Sequence, residues 1–175
     1  MKKFYLTTAI DYVHDLPHLG HAYEKIGADV IARFKRLDEH EVFFLMGNDE
    51  HSQNVKKRAD SLGLDPLKYC EDVADKIKKI WIQMHISNDF FIQTSSPKHE
   101  ITVRELMKKV YDNGDIYQGK YEGHYCVSCE NFIQEKDLVD EKCATHRTKP
   151  QWIKEKNYFF KLSKHEEVIL KHINE

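Results

Sequence analysis

The feature that most constrains the fold is a run of five consecutive apolar residues, Val42–Met46. A short, continuous apolar run is typical of a strand that is covered on both faces, as in a parallel sheet. Residues 3–8 and 90–92 are two further candidate strands, and segments with apolar residues at helical spacing separate all three. Strands that alternate with helices predict an α/β fold with a doubly wound parallel sheet and helices on both faces.

Two of the predicted helices have a marked apolar face, which we expect to pack against the sheet. In the first helix the apolar set is Ala22, Ile26, Val30, Phe34 and Leu37. A later helix opens at Asp65-Pro66 and directs inward the residues Leu67, Cys70, Val73, Ile77, Ile80, Trp81 and Met84. Beyond residue 114, glycine, tyrosine, cysteine and turn residues replace such helices. We therefore divide the chain into residues 1–114 and 115–175.

Composition narrows the class of protein only a little. The 175 residues carry a net formal charge of −2, which gives no indication of nucleic-acid binding but does not exclude local phosphate contacts. No apolar run approaches the roughly 18 residues of a membrane span, and no long apolar stretch follows Lys2 and Lys3 as in a signal peptide. We expect a cytoplasmic protein without a membrane segment.

Two loops at the predicted carboxyl ends of strands carry candidate ligand-binding residues. In parallel sheets, ligands bind where such loops meet the beginnings of helices. His18 and His21 lie on the first turn of a helix, where backbone N–H groups favour an anion, and Gly20 would let a nucleotide approach the backbone. Asp49 follows the apolar strand and could bind an ammonium group or a ribose hydroxyl. Ordinary surface histidines and a helix-capping aspartate are the competing interpretations.

The most specific pattern is a set of candidate metal ligands in the second segment. Cys126 and Cys129 form one pair, and Cys143 and His146 form another after a gap of thirteen residues. Three thiolates and one imidazole complete a tetrahedral Zn²⁺ site with no position open to water, which is typical of a structural metal. His124 is a rival fourth ligand with less suitable spacing. Without a metal, the pattern would be three free cysteines and an unrelated histidine.

These segments resemble the class I aminoacyl-tRNA synthetases. His18-Leu19-Gly20-His21 matches the HIGH signature of that class, and residues 7–23 resemble its methionyl branch. Residues 28–34 and 42–51 continue the similarity in the same order and at the spacing of the family. The resemblance covers essentially the whole chain and implies a Rossmann-like (HUP-type) catalytic domain, with residues 1–114 as its first half. Residues 115–175 would be an incomplete zinc-knuckle connective insert.

The resemblance also implies roles for individual residues. His18 and His21 would be catalytic and, with Gly20, would bind ATP, which enters with Mg²⁺ as a substrate. Methionine would be bound by Ala9, Ile10, Tyr12 and Asp49. Methionyl-adenylate would form first, and its methionyl group would then pass to tRNA(Met). The chain departs from the family at Ala9, Asp11 and Ser52, where proline, tyrosine and glycine are usual. Asp11 puts a carboxylate near the pocket mouth, in an orientation that the sequence does not fix.

The rest of such an enzyme would be a necessary partner. Lys161-Leu162-Ser163-Lys164-His165 resembles the second signature of the class, KMSKS, but we interpret Ser163 and Glu166 as a capping box that opens a helix. The KMSKS half and the anticodon-binding domain are thus missing from this sequence, and we expect the polypeptide alone to be nearly inactive. Two alternatives stay open: another class I synthetase, such as a cysteinyl or branched-chain enzyme, and a zinc-stabilised binding module without catalysis.

Overall fold

A parallel sheet dominates the first part of the chain in the computed structural model, which describes residues 2–175. Its strands are β1 (Lys3–Thr7), β2 (Asp11–Tyr12), β3 (Glu41–Asp49) and β4 (Phe90–Gln93). Leu45 of β3 pairs with Thr7 on one side and with Phe90 on the other. Because β2 also pairs with β3, the strands β1 and β2 form one interrupted edge beside a central β3. The predicted α/β class is confirmed.

The helices of this part begin and end at residues whose chemistry suits those positions. They are α1 (Leu19–Leu37), α2 (Gln53–Ser61), α3 (Pro66–Gln83) and α4 (Pro97–Asp112). Asp65 caps α3 by accepting a hydrogen bond from the amide of Lys68, and Pro66 follows at the first helical position, as the sequence predicts. After α4, Gly114 adopts a φ of 77°, a left-handed conformation that glycine allows without strain.

The apolar core lies between the sheet and helices α1, α2 and α3. Its largest fully buried apolar side chains are Trp81, Phe44, Met46 and Ile77. The prediction that α3 directs Cys70, Val73, Ile77 and Trp81 inward is confirmed. It is wrong for Leu67 and Met84, whose side chains are exposed because they lie at the first turn and at the C-cap of the helix.

The predicted apolar face of α1 requires a larger correction. Ala22 packs against the core, but Ile26, Val30, Phe34 and Leu37 are exposed. The buried face of α1 consists instead of Lys25, Ala28, Asp29 and Ala32. Alanine side chains let the helix backbone approach a sheet surface that already carries large residues such as Phe44. Both charged residues on this face have partners: Lys25 donates to Asp11 and Glu24, and Asp29 accepts from Arg33 and Ser87.

Antiparallel strands form most of the second part of the chain. They are β5 (Ile116–Cys126), β6 (Asn131–Ile133), β7 (Leu138–Val139), β8 (Lys142–Cys143) and β9 (Gln151–Phe160). Strand β5 pairs along its length with β9. Helix α5 (Glu166–Asn174) follows a short 3-10 turn. The predicted capping box is wrong, since His165 occupies the N-cap of α5 and makes no side-chain cap.

Two compact units divide the chain, one ending at Glu100 and the other starting at Ile101. The division falls within α4, whereas the domain boundary between residues 114 and 115 stays a prediction from the change in sequence character. Across the described range, no helix combines the length and the apolar character needed to cross a membrane.

Candidate functional site

The two histidines of the first loop cap helix α1 with their side chains. His18 is the N-cap residue, and its Nδ1 accepts a hydrogen bond from the amide of Gly20 at 3.0 Å. In return, Nδ1 of His21 accepts from the amide of His18 at 3.1 Å. The ring centroids lie 4.0 Å apart. This reciprocal arrangement is a capping box in which both side chains are imidazoles.

The capping geometry determines what the two rings can offer to a ligand. A ring nitrogen that accepts an N–H bond carries no proton, so the proton of each neutral ring is on Nε2. Each ring can therefore donate from Nε2 at the beginning of a helix, where backbone N–H groups already favour an anion. Gly20 is required for this cap, because a Cβ at that position would lie 2.8 Å from Cε1 of His18.

The other residues predicted for the first site lie at the carboxyl ends of β1, β2 and β3. Tyr12 is the register partner of Asp49 across β2 and β3, so the structure brings these two residues together. Ala9 and Ile10 lie in the gap between β1 and β2, and both are exposed. The side chain of Asp49 is half-buried, and its Oδ1 accepts a hydrogen bond from the amide of His51 at 3.1 Å.

The departure at Asp11 has a clear structural outcome. Asp11 is buried, and its Oδ1 lies 3.0 Å from Nζ of Lys25 and 3.8 Å from Nε2 of His21. Lys25 also donates to Glu24 and to the carbonyl of Ala9. Partial burial raises the pKa of Glu24, but hydrogen bonds from Lys25 and from the Ala9 amide outweigh this and lower it below the ordinary value.

Sequence reasoning missed Lys25 and Glu24. The available signal was a second helical face on α1, spaced three or four residues apart, with a lysine four residues after His21. A lysine is almost never fully buried unless it is paired, so its predicted partner would have been an acidic residue such as Asp11.

The loop after β3 is fixed by two residues that the sequence pattern did not single out as structural. Glu50 is buried and accepts hydrogen bonds from the side chain of Gln93, the last residue of β4, and from the amide of Ser95, two residues later. Ser52, where the family usually has glycine, is the N-cap of α2 and accepts from the amide of Asn54 at 3.1 Å. Serine in place of the usual glycine at position 52 therefore provides the N-cap of α2, so Asp49 is not needed as a helix cap.

Three cysteines and one histidine cluster in the second unit, as the spacing predicts. The ligand atoms of Cys126, Cys129, Cys143 and His146 all lie within 4.8 Å of one another. Sγ of Cys129 is 3.5 Å from Sγ of Cys143 and 3.1 Å from Nδ1 of His146. A tetrahedral Zn²⁺ with bonds of about 2.3 Å to sulfur holds its ligand atoms about 3.5–3.8 Å apart. The cluster thus has the size and the donor set of a closed zinc site.

The charge balance of the cluster also favours a cation. Desolvation opposes ionisation of Cys126, but hydrogen bonds from the Cys129 amide, the Thr148 hydroxyl and the neighbouring thiols lower the pKa of Cys126 to about 6. The hydrogen bond with Cys143, desolvation and the charge on Cys126 raise the pKa of Cys129 to about 12. The protein groups alone therefore stabilise one thiolate and oppose a second, whereas a divalent cation would compensate several.

Two other sequence candidates have different surroundings. His124 packs edge-on against Trp152 at a centroid distance of 5.0 Å and is not part of the cysteine cluster. The segment that resembles KMSKS forms the 3-10 turn before α5. There Lys161 donates to the carbonyl of Gly114 at 2.8 Å, and Lys164 forms an ion pair with Asp115.

Comparison with known proteins places this geometry in a family. A family model described as tRNA synthetases class I (M) matches residues 4–143. A methionine–tRNA ligase of Thermotoga maritima is 45% identical over 177 residues, which cover 99% of this chain and 28% of that protein. One of Rickettsia bellii is 46% identical over 95% of this chain and 33% of its own length. The chain spans about a third of the length of these relatives.

A solved structure resembles the whole described fold. Methionyl-tRNA synthetase of Mycobacterium tuberculosis, in complex with methionyl-adenylate, superposes with a TM-score of 0.91 at 39% identity. The similarity covers 99% of this chain and 35% of that one.

Proposed function

Because this chain belongs to the class I tRNA synthetases of the methionyl type, we propose that it is part of an enzyme that activates methionine with ATP and transfers it to tRNA(Met). In this reaction a methionine carboxylate oxygen attacks the α-phosphorus of ATP, and the bond to the β-phosphate oxygen breaks. Pyrophosphate leaves, and methionyl-adenylate remains. A hydroxyl at the end of the tRNA then attacks the carbonyl carbon, and AMP leaves.

The observation that carries the proposal is the imidazole capping box at the beginning of α1. Because Nδ1 of each ring accepts a hydrogen bond from the main chain, His18 and His21 each present Nε2 as a donor at the beginning of the helix. Phosphoryl transfer requires positioning and stabilisation of oxygen charge rather than covalent work by the protein. Two fixed donors at a helix N-terminus supply that stabilisation to the phosphates of ATP, which brings its own Mg²⁺. Gly20, which has no side chain that would displace the His18 ring, is the third residue proposed to bind ATP.

The carboxyl ends of the strands supply the proposed methionine site. Ala9, Ile10 and Tyr12 would line the pocket, and Asp49 beside Tyr12 would bind the α-ammonium group. A relative from Mycobacterium tuberculosis has been solved in complex with methionyl-adenylate, which supports the formation of that intermediate as the proposed reaction. The tRNA and the remaining parts of a synthetase, the KMSKS half and the anticodon-binding domain, are proposed partners. The cytoplasm is the expected compartment.

The cysteine cluster is the proposed site of a structural Zn²⁺. Cys126, Cys129, Cys143 and Nδ1 of His146 would be its four ligands, and their mutual distances suit a tetrahedral ion. A bound ion would join β5, the turn after it, β8 and the following loop, and would add folding free energy to a unit with few apolar core residues.

The deciding experiment is methionine-dependent ATP–pyrophosphate exchange, measured on the longest form of the protein obtainable. We expect exchange with methionine and a loss of about 10²–10³-fold in rate for His21→Ala, the range for removing one donor to a developing oxyanion. His172→Ala, an exposed histidine on α5, is the matched control and should keep the wild-type rate.

Three results would contradict the proposal in different ways. Exchange that prefers another amino acid would indicate a different class I synthetase. Bound zinc without exchange for any amino acid would indicate a binding module. Full exchange in His21→Ala would remove the role assigned to the first loop.

A further inference from the structure

Lys25 is the most completely buried charged side chain of the described residues, with no exposed surface. It lies on the second turn of α1, four residues after His21. Its Nζ has three acceptors: the carbonyl of Ala9 at 2.9 Å, Oδ1 of Asp11 at 3.0 Å and Oε2 of Glu24 at 2.8 Å. An ammonium group has three N–H donors, so every donor is used.

The acceptors of Lys25 lie in and beside a break in the sheet. Strand β1 ends at Thr7 and β2 begins at Asp11, so residues 8–10 lie outside both strands. The amide of Ala9 donates to Oε1 of Glu24 at 2.8 Å, while its carbonyl accepts from Lys25. Both main-chain polar groups of Ala9 are therefore held by side chains of α1.

The same network connects the two halves of the proposed active site. Ala9 and Ile10 belong to the proposed methionine pocket, and His21 to the proposed ATP site. Asp11 lies between them, with Oδ1 near Lys25 and also 3.8 Å from Nε2 of His21. A change at Lys25 would therefore act on the pocket wall through two bonds and on the histidine only through Asp11.

Stability alone does not account for this buried lysine. Removing two charges from water costs more than an ion pair commonly returns, and apolar replacements of buried pairs are often neutral or stabilising. We propose that Lys25 is a positioning residue that holds the Ala9–Asp11 segment in the geometry that binds methionine. This inference rests on the proposed function. Lys25 contacts no substrate itself in this scheme and acts through Ala9 and Asp11.

The test is the kinetics of Lys25→Met in pyrophosphate exchange, with the longest form of the protein obtainable. Methionine keeps the length of the side chain and removes its donors. We expect KM for methionine to rise about 10- to 100-fold, the range for losing a charge-assisted hydrogen bond, with a much smaller change in KM for ATP. Lys35→Met, a matched change on the same helix at an ion pair with Asp38, should leave both constants unchanged.

A double variant separates positioning from folding. Lys25→Met leaves Asp11 buried without its main counter-charge and will lower the unfolding temperature. Asp11→Asn together with Lys25→Met removes both charges, so the unfolding temperature should recover, while the bond to the Ala9 carbonyl stays lost and KM for methionine stays raised. If Lys25→Met does not fold, the double variant decides alone.

Two outcomes would overturn the inference. One is an unchanged KM for methionine in a folded Lys25 variant, and the other is recovery of that KM together with stability in the double variant. A wild-type protein without methionine-dependent exchange would instead contradict the proposed function, so the two failures are distinguishable.

Discussion

The two units of this chain are stabilised in different ways. In the unit that ends at Glu100, apolar side chains from three helices and the parallel sheet form a buried core that includes Phe44, Met46, Ile77 and Trp81. In the unit that starts at Ile101, the described buried side chains are Asp115, Cys126, Cys143 and Pro150. Two of these four are proposed metal ligands. The comparison indicates that burial of apolar side chains is enough to stabilise the first unit. We expect the second unit to require a further stabilising interaction, the proposed bound metal ion.

Removal of metal is expected to have the largest effect and to act on one unit only. We expect chelation, or Cys143→Ser, to release zinc and to abolish amide-exchange protection in β5 and β9 while α3 stays protected. Structural zinc contributes about 10–16 kcal/mol in zinc-finger peptides, far more than any single side chain. The measurement is zinc content by elemental analysis together with hydrogen exchange.

Cys70→Ala is the control for the metal experiment. Cys70 is buried in the first unit, where desolvation raises the pKa of its thiol to about 11. The zinc content of this variant should match that of the wild type. Protection of β9 that survives complete metal removal would refute the dependence of the second unit on a metal.

Two tryptophans, one in each unit, test the comparison with an expected effect of intermediate size. Trp81 is 2% exposed and fills the core of the first unit, so Trp81→Ala should lower the free energy of unfolding by about 3–5 kcal/mol. Trp152 is 62% exposed on β9, and Trp152→Ala should change it by less than about 0.5 kcal/mol. Denaturant unfolding of both variants measures the difference, and equal losses would mean that the second unit has a core of its own.

The smallest expected effect concerns a buried carboxylate of the first unit and its dependence on pH. Asp29 accepts hydrogen bonds from the amide of Ser87 at 2.7 Å and from Nε of Arg33 at 2.6 Å. Although burial raises the pKa of Asp29, bonds from Ser87 and Arg33 lower it below the ordinary value of 3.8. Asp29 therefore stabilises the folded state at pH values above the pKa of the unfolded chain. This stabilisation is lost as the pH falls through the lower pKa of the folded protein.

Asp29→Asn tests this contribution. We expect a loss of about 1–3 kcal/mol at neutral pH and a shallower decline of stability below pH about 4 than in the wild type. Asp60→Asn, at an exposed ion pair with Lys56, should cost less than about 0.5 kcal/mol. Parallel acid unfolding curves for the wild type and Asp29→Asn would contradict the assignment.

The sequence predicted those parts of the structure that depend on local chemistry. The apolar run at Val42–Met46 became the central strand, and the spacing of the cysteines and the histidine identified the four side chains that cluster. Turn residues such as Gly114 ended helices where expected. In each case the residue types themselves favour the outcome, through a strand of apolar residues, a set of thiol and imidazole donors or a left-handed backbone. The expected burial of the central strand on both faces is wrong, since Phe44 and Met46 are buried but Phe43 is 47% exposed.

Other features could not be predicted because the sequence allows two local arrangements and tertiary contacts determine which one forms. Hydropathy predicted that the face of α1 from Ile26 to Leu37 packs against the sheet. The face that is buried instead carries Ala28 and Ala32, with paired charged residues beside them. Ser163 and Glu166 had the spacing of a capping box, yet the 3-10 turn placed His165 at the N-cap. The orientation of Asp11 required its partner on another element, which periodicity does not reveal.

The pairing of β5 with β9 has a consequence for how this protein can be modified. Ile116 lies opposite Phe160, so the segment between these two residues begins and ends at adjacent points. The entropy of closing a loop grows only slowly with its length, so the stretch beyond this pair can be lengthened, shortened or exchanged without moving its ends. Ile116 and Phe160 thus define a graft point, at which a two-residue turn or a foreign domain could replace the whole segment between them.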